Sequence, residues 1–290
     1  MQPIVVEVTR GDVVEARHAA HGVAVSGGEV VSSAGDPQLV TYFRSSAKPI
    51  QALPLMRVRP DLDDAEIAIA CASHLARPEQ LDAVRSLLAK AQATEDDLEC
   101  GPEPTRVEHN CSGKHAGLLA LCRARGWPTE GYRIPDHPCQ QALRAEIAAA
   151  AEVEPDSMPT AVDGCGILTF GLPLARMAHA YSRLGELEGG ARALAAMRSQ
   201  PELIRGPLAA DTVLMRTQPG WVAKGGAEGL LCAVSADGLG VALKIEDGAQ
   251  RAVRPALARF LRSVGVDAKE LGAVEVANSR GDVVGELRAI

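Results

Sequence analysis

The stretch that decides the fold is Arg44-Ser45-Ser46-Ala47-Lys48-Pro49-Ile50-Gln51, in which a serine and a lysine stand three residues apart at a predicted helix start. Positions i and i+3 share a helix face, so Ser45 Oγ and Lys48 Nζ can meet there. Pro49 has no N–H to donate and fits only the first helical turn, which places the start near Ser45 or Ser46. The hydroxyl then lies at the positive end of the helix, where a developing oxyanion is favoured. Ile50, Leu53, Leu55 and Met56 supply the apolar face that buries the helix, while Lys48, preceding a proline, resists helical geometry and can distort the turn. A serine followed by a lysine is common, and Ser45 and Ser46 could equally cap an ordinary helix. The motif gains meaning only from companions elsewhere in the chain.

At 290 residues and 47% hydrophobic content the chain can bury a full core. A net charge of −7 without a basic cluster argues against nucleic acid as partner. No apolar run approaches the roughly 18 residues of a membrane span. The opening Met1-Gln2-Pro3-Ile4-Val5-Val6-Glu7 reads as a strand and not as a signal peptide, so a cytoplasmic location is expected. Seven cysteines, an odd number, fit thiols, metal ligands or core residues better than a disulfide framework. Cys71, Cys100, Cys122, Cys139 and Cys232 read as packing residues.

The first forty residues alternate apolar and polar side chains and turn at Arg10-Gly11-Asp12 and Ser26-Gly27-Gly28, the pattern of hairpins. Helices are expected from Pro78, over Ala116 to Cys122, from about His137 to Ala150, and near Pro173 to Leu184 and Ala191 to Arg198. Asp163-Gly164-Cys165-Gly166 reads as a tight turn with exposed backbone. Strands return at Trp221 to Lys224, Leu230 to Val234 and Gly240 to Ile245. A helix near Arg251 to Val264 and a hairpin from Val274 to Glu286 follow. Val8-Thr9-Arg10-Gly11-Asp12-Val13-Val14 and Val276 with Arg280-Gly281-Asp282-Val283-Val284 read as two similar hairpins of one sheet. The order strands, helices, strands predicts an α+β fold of one domain, residues 1–290. Its mainly antiparallel sheet would come from residues 1–43 and 220–290, with a helical region, 44–215, inserted between them.

Set beside Ala72-Ser73-His74, Asn110-Cys111-Ser112-Gly113-Lys114-His115, Asp163-Gly164-Cys165-Gly166 and Lys224-Gly225-Gly226-Ala227-Glu228-Gly229, the Ser45-x-x-Lys48 motif completes a series that resembles the asparaginase II family, the Rhizobium etli-type L-asparaginases. The resemblance runs from the first hairpin to Glu246-Asp247-Gly248. It implies the serine β-lactamase and penicillin-binding fold, hydrolysis of L-asparagine to L-aspartate and ammonia, and a homodimer. Residue by residue, it implies Ser45 with Lys48 as one catalytic pair and Ser73 with Lys224 as a second. Cys111, Lys114 and Cys165 would form a zinc site, with Asp163 close to the substrate. The chain is short for the family and its middle loops are trimmed, which bears on loop-borne substrate contacts and the dimer surface. Lys244 competes with Lys224 as the strand lysine; Lys224 is preferred because the glycines after it allow close approach to the strand backbone.

Amide hydrolysis needs a nucleophile, a base, a donor for the leaving ammonia and oxyanion stabilisation. A lysine serves as base only when neutral, and burial or a second cation moves it that way. Ser45 is the expected nucleophile and Lys48 its base, with Ser46 and Ser112 as rivals. Ser73 and Lys224 would pass the proton to the departing ammonia. Arg44 and Asn110 are candidates for binding the substrate's α-carboxylate or amide, and Gly164 offers backbone in the tight turn. His74 and His115 could line the pocket or make structural hydrogen bonds.

Other readings remain open on the sequence. A β-lactamase-type hydrolase is disfavoured because Ser73-His74 replaces the usual Ser-x-Asn element. A glutaminase is closer, since one methylene changes affinity by only about 1–3 kcal/mol. A non-catalytic amino-acid sensor would be favoured if one member of each Ser–Lys pair were missing, and all four are present.

Overall fold

Alternation at the two ends of the chain builds one sheet. The structure, a computed structural model, describes residues 1–290. Its strands are β1 (Ile4–Arg10), β2 (Val13–Ser26), β3 (Glu29–Ala34), β4 (Val40–Tyr42), β5 (Thr160–Val162), β6 (Leu168–Pro173), β7 (Val222–Gly225), β8 (Leu230–Val234), β9 (Gly240–Ile245), β10 (Val274–Ala277) and β11 (Val283–Ala289). Eight of them form an antiparallel sheet in the order β10-β11-β1-β2-β9-β8-β7, with β3 branching from β2. The two similar hairpins lie side by side, because β1 pairs with β11 in the register Val6↔Ala289. At the other edge Lys224 of β7 stands opposite Cys232 of β8.

The helices are α1 (Lys48–Gln51), α2 (Leu53–Val58), α3 (Asp64–Ala70), α4 (Pro78–Lys90), α5 (Ser112–Arg125), α6 (Pro138–Ala151), α7 (Leu174–Ser182), α8 (Gly190–Ser199), α9 (Pro201–Ile204), α10 (Ala210–Thr217) and α11 (Val253–Ser263). Because side chains alternate across a strand, each central strand serves two cores. Ala20, Leu231 and Leu243 join Leu257 and Phe260 of α11 on one face. Val23, Cys232 and Ala242 join α7 and the helical body on the other. Both helices press close to backbone: a Cβ on Gly22 would lie 2.5 Å from the Phe260 ring, and one on Gly240 would lie 2.1 Å from the Ala178 carbonyl oxygen. No helix is long and apolar enough to cross a membrane, and all seven cysteines are free and buried.

Three expectations need correction. The helical region contains strands: β5 and β6 pair with each other, and β4 pairs with β6 in place of joining the main sheet. The run Leu168–Pro173 is buried almost throughout, so it lacks the alternation that would mark a strand. Helix α5 begins at Ser112 and not near Ala116. Its residues from Ser112 to Cys122 are all buried, which erases the helical period in the sequence. Helices α9 and α10 were not foreseen, as Pro201 and Pro207 break that segment into pieces too short to show a pattern.

Replacing Gly240 by alanine should lower stability by about 1–3 kcal/mol, since the Cβ meets backbone that cannot swing away. Urea unfolding of Gly240→Ala beside an exposed control such as Gly101→Ser, where no atom stands within 4 Å of a built Cβ, measures it.

Candidate active site

The helix start at Arg44 is a 3-10 turn, Arg44–Ala47, running into α1, and three other parts of the fold hold it. Ser46 Oγ donates to the Lys224 carbonyl of β7 at 2.8 Å, and Tyr181 of α7 donates its hydroxyl to the Ser46 carbonyl at 2.7 Å. A Cβ on Gly226 would come 3.0 Å from Ser46 Oγ, so this glycine lets the turn dock on the edge strand. Arg44 has a left-handed backbone, φ 47°, a geometry that costs a non-glycine residue about 1–3 kcal/mol. Its N–H donates to Thr169 Oγ1 and its Nε donates to Asp163 Oδ1 at 2.8 Å. Asp163 also accepts from the Gly164 N–H in the β5–β6 turn.

Lys48 is fully buried. Its Nζ donates to the Ala72 carbonyl and lies 3.0 Å from Ser73 Oγ. No hydrogen bond joins it to Ser45; the serine it bonds here is Ser73. The cause is local. The 3-10 turn carries Ser45 to a half-buried position while Lys48 is drawn inward to the end of α3. Ser73 is fixed by its N–H to the Ile204 carbonyl, and Gln80 ties that neighbourhood together by donating to the carbonyls of Glu202, Leu203 and Arg205.

Lys224 is also fully buried and projects from the edge strand, 3.9 Å from Asp211 Oδ2. Burial, opposed by Asp211 and reinforced by the charge of Lys48, brings its pKa down to about 7. Burial likewise lowers Lys48. Lys244 sits two strands further in, with its charged neighbours Glu228, Asp247 and Glu246, and its Nζ donates to the Ile245 carbonyl. Geometry therefore separates the two strand lysines. Only Lys224 shares its surroundings with Lys48.

Behind these groups Cys111, Lys114 and Cys165 converge, the first two at the start of α5 and the third from the β5–β6 turn. Lys114 Nζ lies 3.0 Å from Cys165 Sγ. A hydrogen bond from Cys111, with the charge of Lys114, overcomes burial and brings the Cys165 thiol down to about 4. For Lys114 burial works the other way, but the two sulfurs and Asp163 outweigh it and raise its pKa. Burial also opposes the charge of Asp163, and Lys114 and Arg44 overcome it. No group of three or more His, Cys, Asp and Glu side chains is placed to hold a metal ion. Cys111, Lys114 and Cys165 nevertheless meet zinc's preference for sulfur and nitrogen, provided the amine gives up its proton.

The remaining expected contacts fall outside this cluster. His74 is buried, with Nε2 2.8 Å from Ser112 Oγ and Nδ1 accepting from the Ala76 N–H. Burial lowers its pKa to about 4. His115 is buried against the Tyr132 hydroxyl at 2.7 Å. Both are buried and hydrogen-bonded within the helical body. Asn110 is exposed, and its carbonyl accepts from the His74 N–H. Sequence reasoning missed Asp211, which reads as an ordinary acidic residue in a helix's first turn, and Tyr181, an isolated aromatic. It also missed Gln80, although a glutamine at the third position of a helix is a capping signal.

The sequence matches the L-asparaginase II family over residues 6–289. The chain therefore belongs to that family, one of asparaginase-type amidohydrolases. Among curated proteins no sequence match is found. Solved structures similar to it include SurE with D-Leu, at TM-score 0.44 and 17% identity, covering 97% of this chain and 82% of that one. Mglu in its native form follows at TM-score 0.41 and 13% identity, with 86% of this chain covered and 65% of the other. The octameric penicillin-binding protein homologue from Pyrococcus abyssi has TM-score 0.36, 12% identity and coverages of 87% and 74%. The mixed α/β layout with a curled antiparallel sheet is the class expected from the sequence.

Ser46→Ala should cost about 1 kcal/mol by removing the bond that docks the turn on β7, while turnover persists. Chemical denaturation and an amide-hydrolysis assay on the same sample check both halves.

Proposed function

We propose that the protein hydrolyses L-asparagine to L-aspartate and ammonia, with Ser45 as nucleophile. One observation carries the assignment of the nucleophile. Of the serines around the two buried lysines, Ser46 donates to Lys224, Ser112 donates to the Val107 carbonyl, Ser73 is bonded to Lys48, and Ser45 alone has a hydroxyl free of internal partners. It is half-buried at the helix start, where a substrate can reach it.

In the proposed sequence Ser45 Oγ attacks the side-chain amide carbon and gives its proton to Lys48, which burial biases toward the neutral amine. The proton passes through the Ser73 hydroxyl and Lys224 to the amide nitrogen, the C–N bond breaks, and ammonia leaves a β-aspartyl ester on Ser45. Water then cleaves the ester with the same groups reversed. The Arg44 guanidinium faces the substrate's α-carboxylate and Asp163 its α-ammonium, each already oriented by the other. Cys111, Lys114 and Cys165 would hold a zinc ion. Bound there, zinc would supply a positive charge to position the substrate or a water.

Ammonia release from L-asparagine and L-glutamine tests the reading. Ser45→Ala should lose about 10³-fold or more in kcat/KM with an unchanged melting temperature; a fully active variant removes Ser45 from the mechanism. Greater release from glutamine would shift the substrate by one methylene and leave the chemistry intact.

A proton relay through Lys224 needs its neutral form, whose fraction grows with rising pH. We expect kcat/KM to climb as pH rises through about 7 and then level off. A pH profile of wild type sets the limb, and its survival in Lys224→Met would show that another group titrates.

Elemental analysis of metal-replete protein should give one zinc per chain, lost in Cys165→Ala. Zinc retained by that variant would rule out this trio as the site.

A further inference from the structure

At the edge of β7, next to Lys224, lies a cleft of about 400 Å³, walled by seven hydrophobic residues and by three arginines, Arg205, Arg251 and Arg254. Its volume lies within the range of about 300–1,000 Å³ usual for small-molecule sites. None of the three guanidinium groups has a carboxylate partner. Arg254 donates from one Nη to the Glu270 carbonyl at 2.8 Å, and its Nε is buried with no partner at all. Arg251 donates its Nε to His18 Nε2 at 3.0 Å, while His18 Nδ1 stands 2.6 Å from Asp247. Both Nη atoms of Arg251 are thus oriented yet unused. Arg205 is half-buried, and its side chain makes no hydrogen bond.

The one acid in the lining, Asp211, does not neutralise them. Its oxygens accept from the Thr212 and Gly225 N–H groups, and Lys224 lies beside it. Three guanidinium groups facing a partly apolar hollow repel one another, and a cation in such surroundings is costly unless an anion joins it. Guanidinium forks match carboxylate and phosphate oxygens in pairs.

We infer that this cleft, which adjoins the catalytic cluster through Asp211 and Gly225, is a ligand site for a small organic anion bearing at least two negative charges. Doubly charged carboxylates and phosphates share this chemistry. The apolar walls favour a ligand with a carbon body between or beside its anionic groups.

The test is a thermal-shift and calorimetric titration of the full chain with succinate and with inorganic pyrophosphate, with sodium chloride at matched ionic strength as control. At least one di-anion should give a saturable rise in melting temperature that chloride does not reproduce, and the series that binds tells carboxylate from phosphate. Kd should weaken about tenfold in Arg251→Gln, whose exposed position keeps folding intact, and likewise in Arg254→Gln if its melting temperature is native. Absence of saturable binding by both probes, or an unchanged Kd in Arg251→Gln, overturns the site. Succinate held in the catalytic pocket would give that second result.

Discussion

The hydrogen bond from Ser46 Oγ to the Lys224 carbonyl joins the two halves of the molecule beside the two buried lysines. One partner sits on a turn of the helical body, and the other on the edge strand of the sheet. Because Ser46 faces the strand, Ser45 faces outward and Lys48 points in. Because the strand is held at its Lys224 carbonyl, the side chain of Lys224 projects toward the same space as Lys48. The glycine at 226 is what lets the turn come this near. Two adjacent serines therefore divide the work, one holding the architecture and one left free.

Burying two lysines near each other runs against stability, since each loses hydration and repels its neighbour. The protein offsets this with specific acceptors: the Ala72 carbonyl for Lys48, and the Gly225 carbonyl with Asp211 for Lys224. The third lysine of the site is treated in the opposite way. Lys114 is surrounded by sulfur and carboxylate and keeps its charge. Neighbouring amines are thus biased in opposite directions, Lys48 and Lys224 by burial toward the neutral form and Lys114 by two sulfurs and Asp163 toward the charged one.

The sheet was legible because its strands obey a period of two and its turns carry glycine with aspartate or serine. The pairing of the first strand with the last could be guessed from the likeness of the two hairpins. The small sheet was not legible, because β6 is buried and has no polar alternation to betray it. At the site, the residue types and order were visible in the motifs, whereas the partners were not. Which serine Lys48 would bond depended on a 3-10 turn whose start is a left-handed arginine, and no local pattern announces such a residue. Asp211 was invisible for a different reason: its role comes from contact with a strand that follows it, a tertiary fact that leaves no trace in spacing.

The pairing of β1 with β11 also bears on how the chain reaches its native state. Val6 lies against Ala289 and Val8 against Leu287, contacts between residues nearly the whole chain apart. Such closures are entropically slow, and topologies rich in them fold slowly for their stability. Until the last hairpin arrives, β1 presents an open edge, and its apolar residues Val6 and Val8, buried in the finished fold, lack part of their cover. Aggregation during refolding should therefore begin at this seam, on the side of the sheet farthest from the edge strand that carries Lys224.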